Sequence, residues 1–303
     1  MGSVLRAKDG LLAQGTVIGD GRFRLLDPVG VDSRDNANLW RARDGQLNRD
    51  VALTILSGNS SRPDAVRHTL QRAAPASRFL HPGIAPVLNV LSVGDGVARD
   101  EGVAGIIAAE WTRGTGMTDL VAPVTPAHAC MLLDPLAEAM GRAHRRGVML
   151  GVGNPLRVRV GPSGTLRLAF PGPPAGMSLI DDVRGLGAIL YVLLTGSWPA
   201  ADGRIAPPRE LQPEVPADLS DVTVRSLAGD IRTSDSILSV LRQPPTNAAP
   251  LPVTGKSDTE WTTKPPVNDT ARKKKLAIGV AALVLISIAI VVWLGVTVIS
   301  TFL

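Results

Sequence analysis

GRAHRRGVMLGVGNPLRVRVGPSGTLRLAFPG, residues 141–172, is the stretch on which the fold turns. A helix running through Met140 and Ala143 is predicted to stop at Gly147, a residue suited to a left-handed C-cap. Arg142, His144, Arg145 and Arg146 fall in its last turns, where cations complement the negative end of the helix dipole. Past a loop closed by Pro155, the apolar residues Leu156, Val158 and Val160 alternate with Arg157 and Arg159. Gly161-Pro162-Ser163-Gly164 turns the chain, and Leu166 and Leu168 resume the alternation. The expectation is a helix, a loop and a β-hairpin.

Working outward, the chain has 303 residues, of which 45% are hydrophobic, enough for one two-lobed domain with an appendage. A net charge of +5 would suit nucleic acid or anionic lipid if the excess lay on a folded face. Instead Arg272-Lys273-Lys274-Lys275 immediately precedes an apolar run, which marks a membrane flank and excludes nucleic acid as the expected partner. Cys130 is the single cysteine, so neither an intrachain disulfide nor a cysteine-ligated zinc site can form. Its setting in AHACMLLDPLAEAM reads as a buried small hydrophobe. The first residues lack an apolar core of signal-peptide length, and Arg6 stands where a myristoylation motif wants Ser or Thr.

Strands are predicted over Arg22–Val29, Asn38–Arg43, Val51–Leu56 and Gly102–Ala109. A helix enters at Arg62-Pro63, places Ala65, Val66, Leu70 and Ala73 on one face, and is broken or kinked by Pro75. His81-Pro82 marks a turn, with His81 in a structural role. A long amphipathic helix runs from Pro126 to Arg146, and another begins at Asp182 and is closed by Thr195-Gly196.

The pieces LHPGI (80–84), AHRRGV (143–148) and DVRGLGAILYVLLTG (182–196), in this order, resemble bacterial serine/threonine protein kinases over about residues 15–242. The resemblance implies an α+β, two-lobed fold: a tail over 1–14, a small β-rich lobe over about 15–111 and a large helical lobe over about 117–242. It also implies where the chemistry would be. The strand-three Lys position holds Thr54, its helix-C Glu partner position holds Arg72, and the Gly-rich loop keeps only Gly30, with Asp32, Ser33 and Asp35 in the turn. Leu150 and Val152 stand at the His and Asp of His-Arg-Asp, Arg157 at the metal-binding Asn, and Phe170-Pro171-Gly172 at Asp-Phe-Gly. The family's Asp that braces the catalytic-loop backbone matches Asp182, and Glu110-Trp111 matches the hinge. The short interval from Gly172 to Asp182 leaves no room for a substrate platform. The remaining acids, Asp119, Asp181 and Asp182, have no Asn and Lys at workable spacing. The expectation is therefore a pseudokinase: not an enzyme, with no cofactor and no metal. The alternative is a degenerate nucleotide or small-molecule sensor using the interlobe cleft.

Residues 243–275 are rich in Pro, Thr, Asn and Lys and read as a disordered juxtamembrane linker. Residues 276–303 carry no charge and exceed the roughly 20 residues needed to cross a bilayer. A single span follows, with residues 1–275 cytoplasmic by the positive-inside rule. Thr254, Thr259, Thr262, Thr263 and Thr270 are candidate phosphorylation sites. Kinase-like domain, Thr-rich linker and span in this order resemble the cytosolic pseudokinase part of the actinobacterial lipid II flippase of the MurJ/MviN type. That resemblance implies an upstream active serine/threonine kinase, a forkhead-associated domain protein docking on a phosphothreonine, membrane lipid and a lipid II flippase as partners, and a role as a scaffold in peptidoglycan regulation.

Overall fold

The computed structural model describes residues 12–34, 36–58, 63–120, 122–161, 164–199 and 205–243. The expected linker threonines, the basic flank Arg272–Lys275 and the span 276–303 lie outside these residues, as do the tail 1–11 and Asp35. Among the described residues, no helix is long and apolar enough to cross a membrane.

The chain opens with β1 (Val17–Ile18), β2 (Phe23–Asp32), β3 (Ala37–Asp44) and β4 (Arg49–Ser57), then α1 (Pro63–Ala76), then β5 (Val87–Val93), β6 (Gly96–Val97) and β7 (Val103–Glu110). These strands make one sheet in the order β1-β2-β3-β4-β7-β5-β6. Alternation decides its two faces. Phe23 and Leu25 turn inward from β2 to meet Leu53, Ile55, Ile106 and Trp40 in one buried cluster. Arg22 anchors the same end: its Nε and Nη2 donate to Asp44, the shorter bond 2.7 Å, and Nη2 also reaches Asn89 Oδ1 at 3.1 Å. The helix α1 runs past Pro75 to Ala76, because a proline one residue from the end interrupts little that follows.

The large lobe holds the two-residue β8 (Thr115–Gly116), α2 (Pro126–His144), the hairpin β9 (Val158–Val160) and β10 (Leu166–Leu168), then α3 (Leu179–Thr195), α4 (Pro208–Leu211), α5 (Ala217–Ala228) and α6 (Ser234–Leu241). Leu132, Leu136 and Met140 of α2 and Leu186, Leu190 and Leu193 of α3 lie in its largest apolar cluster. Cys130, on α2, is half-buried rather than buried, and burial pushes its thiol up.

Several boundaries differ from expectation: α3 begins at Leu179 rather than Asp182, β2 runs to Asp32 rather than Val29, and two more have a visible local cause. Helix α2 ends at His144, not Gly147: Arg146 N–H and Val148 N–H both donate to the Ala143 carbonyl, tightening the chain into turns before Gly147 takes its left-handed φ of 70°. The hairpin strand begins at Val158 because Asn154 Oδ1 accepts from Leu156 N–H at 2.9 Å and winds Pro155–Arg157 into a 3-10 turn.

Behind the cleft the lobes are joined by backbone. Residues 83–85, leading into β5, run beside β10: Leu168 N–H donates to Gly83 O at 2.9 Å and Ala85 N–H to Leu168 O at 2.8 Å. Gly83 is required there, since a Cβ would collide with the Pro135 carbonyl of α2.

Candidate functional site: the interlobe cleft

The loop 150–152 is built around one carboxylate. Asp182, fully buried in the first turns of α3, accepts from Leu150 N–H at 2.7 Å, Gly151 N–H at 2.8 Å and Val152 N–H at 3.0 Å. His144 Nε2, at the end of α2, lies 3.1 Å from its second oxygen. Asp182 sits one turn inside α3 because Ser178 forms the N-cap with Asp181 in a reciprocal capping box. Those bonds from Ser178 are what hold the Asp181 carboxyl below its ordinary range. Asp181 and Asp182 are thus both engaged in local structure, and Asp119 lies in a 3-10 turn beside Gly116.

The structure brings Arg157 and Phe170 together between the strands and the loop that follows α2, holds Val152 in that loop, and leaves Thr54 on β4. Arg157 is the largest fully buried side chain. Its Nε donates to Asp32 Oδ2 at 2.6 Å, and its Nη1 donates to Phe170 O at 3.1 Å and Gly172 O at 2.6 Å. Its Nη2 is buried with no hydrogen-bond partner among the described residues. Burial alone would push the Asp32 carboxyl up, but the Arg157 charge and hydrogen bonds outweigh it and leave Asp32 below the usual carboxylate range. Asp32, which the sequence places in the turn replacing the Gly-rich loop, is therefore a buried and paired charge. It is neutralised by a guanidinium 125 residues away.

Phe170 is fully buried and fills the cleft with Leu39, Ala52 and Ala109, against which Val29, Leu156 and Trp111 pack. Its ring meets the Trp111 indole edge-on at 6.4 Å. The space that the alternative, a sensor using the interlobe cleft, assigns to a ligand is thus occupied by the chain's own side chains. Trp111 is flanked by two guanidinium groups, Arg159 at 4.7 Å and Arg41 at 5.5 Å from the ring centroid. Arg159 also donates to the carbonyls of Thr112 and Gly114, which fixes the hinge. Thr54 is buried on β4 with its hydroxyl unpartnered among the described residues. Arg72 stands apart on α1, half-buried, and donates to Met177 O at 3.0 Å. His81 keeps to its turn, with Nδ1 accepting from Gly83 N–H at 3.1 Å.

Sequence reasoning missed the Asp32–Arg157 pair. The available signal was two unlike charges, one in the first turn of the small lobe and one in the loop facing it.

No family model matches the chain. It is similar to the probable serine/threonine-protein kinase PknB of Lactococcus lactis, 25% identical over 256 residues that cover 70% of this chain and 39% of that protein. It is also similar to PknB of Mycolicibacterium smegmatis, 24% identical over 254 residues, 68% of this chain and 40% of that protein. A shorter match joins it to serine/threonine-protein kinase pkn2 of Myxococcus xanthus, 25% identical over 142 residues. The chain thus spans well under half the length of these relatives. Their names overturn the expectation, drawn from Thr54, Arg72, Val152, Arg157 and Phe170, that the chain is not an enzyme: they point to kinase activity. Together with the mixed strand-and-helix architecture, the similarity over about 70% of the chain supports a protein kinase-like fold.

Proposed function

We propose that this chain is a kinase-like domain working as a phosphorylation-dependent scaffold at a membrane: a linker threonine, modified by an upstream serine/threonine kinase, recruits a forkhead-associated domain protein in the control of lipid II synthesis or export. The observation that carries this reading is the packed cleft, in which Phe170, Leu156 and Trp111 occupy the space between the lobes. A body with its cleft filled by its own side chains presents a fixed outer surface, which suits docking. A phosphate adds about −1.5 to −2 charge to a linker that carries little structure-forming sequence, and an arginine-lined reader grips it. The candidates are Thr254, Thr259, Thr262, Thr263 and Thr270, with Arg272–Lys275 holding the linker against anionic lipid.

The test uses the full chain in membranes, before and after treatment with an active membrane kinase from the same cell, followed by affinity capture and mass spectrometry of the linker. Retention of a forkhead-associated protein only when a linker threonine is phosphorylated supports the reading. Retention that is unchanged by phosphorylation, or by replacing the five threonines with Val, removes it. The second reading is phosphoryl transfer, the activity in the relatives' names. Incorporation of labelled phosphate by the purified chain alone identifies it.

A further inference from the structure

A buried ion pair needs a reason beyond stability. Taking both charges out of water costs several kcal/mol, and apolar residues of similar volume are often as stable in such a place. The Asp32–Arg157 pair is fully buried on both sides, and Arg157 still leaves Nη2 without a partner among the described residues. What the pair does have is a position. Asp32 ends β2 in the small lobe, Arg157 belongs to the 3-10 turn that enters the large-lobe hairpin, and the two close the mouth of the cleft at 2.6 Å. The same guanidinium grips Phe170 O and Gly172 O through Nη1, so it also fixes the segment whose Phe170 ring fills the cleft. Phe170 N–H in turn donates to Arg157 O at 3.2 Å, and Ala169 N–H to the same oxygen at 2.7 Å. Closing the mouth and filling the interior are coupled through one side chain.

We propose that Asp32–Arg157 is a latch: the lobes part, and Phe170 leaves the cleft, only when this pair separates. The open state relieves the unpartnered Nη2, because water reaches it. The closed state is held by the charge and by two carbonyls that no other cation of the described residues contacts. The latch shares the packed cleft with the scaffold reading but does not use the linker threonines, so a failure of phosphothreonine capture leaves it in place.

Hydrogen exchange on the full chain tests it, comparing the native protein with Asp32→Asn, which keeps the shape and removes the charge. The expected result is at least a tenfold faster exchange in peptides covering 28–33 and 154–172, with peptides of α5 and α6 unchanged. Unchanged exchange in the first two regions overturns the latch. So does an equal acceleration in α5 and α6, which reports general loosening. Should Asp32→Asn fail to fold, Asp32→Glu keeps the charge on a longer arm, and a smaller acceleration confined to the same two regions is expected. Acceleration spread over the large-lobe helices would overturn the proposal there too.

Discussion

Replacing Asp182 by Ala removes a single carboxylate and leaves Leu150, Gly151 and Val152 with buried N–H groups that nothing else satisfies. Each bond to a charged acceptor contributes about 1.5–3 kcal/mol net, and each orphaned buried donor costs about 1–3 kcal/mol. The penalties overlap, since the loop relaxes to find water for some of the donors, so the sum of the maxima overstates the loss. An expected destabilisation of about 3–5 kcal/mol places this substitution among the severe ones. For a domain of this size that corresponds to a fall in Tm of roughly 10 °C, at about 2–4 °C for each kcal/mol. Urea unfolding followed by circular dichroism reads it directly, provided the slope m stays that of the native protein. Asp182→Asn is the informative companion: its amide oxygen still accepts while its NH2 confronts the neighbouring donors, so a loss between zero and that of Ala is expected. A loss under about 1 kcal/mol for Asp182→Ala would show that water or a shifted loop satisfies the three amides, and the bracing argument would fail.

Gly185→Ala would bring a Cβ to 2.9 Å from Gly153 Cα and Val152 C, backbone atoms that cannot swing aside, so a loss of about 1–3 kcal/mol or more is expected in urea unfolding. Phe170→Ala empties the centre of the cleft cluster and should cost about 3–5 kcal/mol, while creating a site that an apolar dye fills with a measurable rise in fluorescence. The pH profile follows from Asp32 and Asp44, each pushed up by burial but held below the ordinary carboxylate value by Arg157 and Arg22 respectively. Because their folded values lie below the unfolded one, their contribution is full above about pH 5 and is lost as the pH falls through the folded values. Equilibrium unfolding between pH 3 and 8 should therefore show a plateau with an acid-side decline, and Asp32→Asn should flatten part of that decline.

Local pattern was readable wherever a residue's neighbours in sequence decide its state. The alternation in LRVRV and LRL gave the hairpin, and Gly196 closes α3 in the left-handed conformation expected of it, with φ 74°. Leu156 and Arg157 were misplaced in the strand because Asn154 captures the Leu156 amide, a side-chain bond that competes with pairing and leaves no trace in hydrophobic periodicity. Gly147 adopts its expected φ, yet the helix had already ended, since a C-terminal glycine marks the turn rather than the last helical bond. At the cleft, the residues were read one at a time as positions with altered chemistry. Their joint arrangement was not visible: the arginine at the metal-binding Asn position becomes, in three dimensions, the partner of an aspartate in the turn that replaces the Gly-rich loop.

The junction at Gly83 has a mechanical consequence. Its attachment to β10 is made by main-chain groups and its approach to α2 is between backbones, so side-chain replacement at its neighbours leaves it in place while any Cβ at Gly83 itself does not. Asp32 and Arg157, by contrast, meet side chain to side chain. Substitution at either residue acts on that contact directly, whereas the junction at Gly83 responds to substitution of the glycine itself.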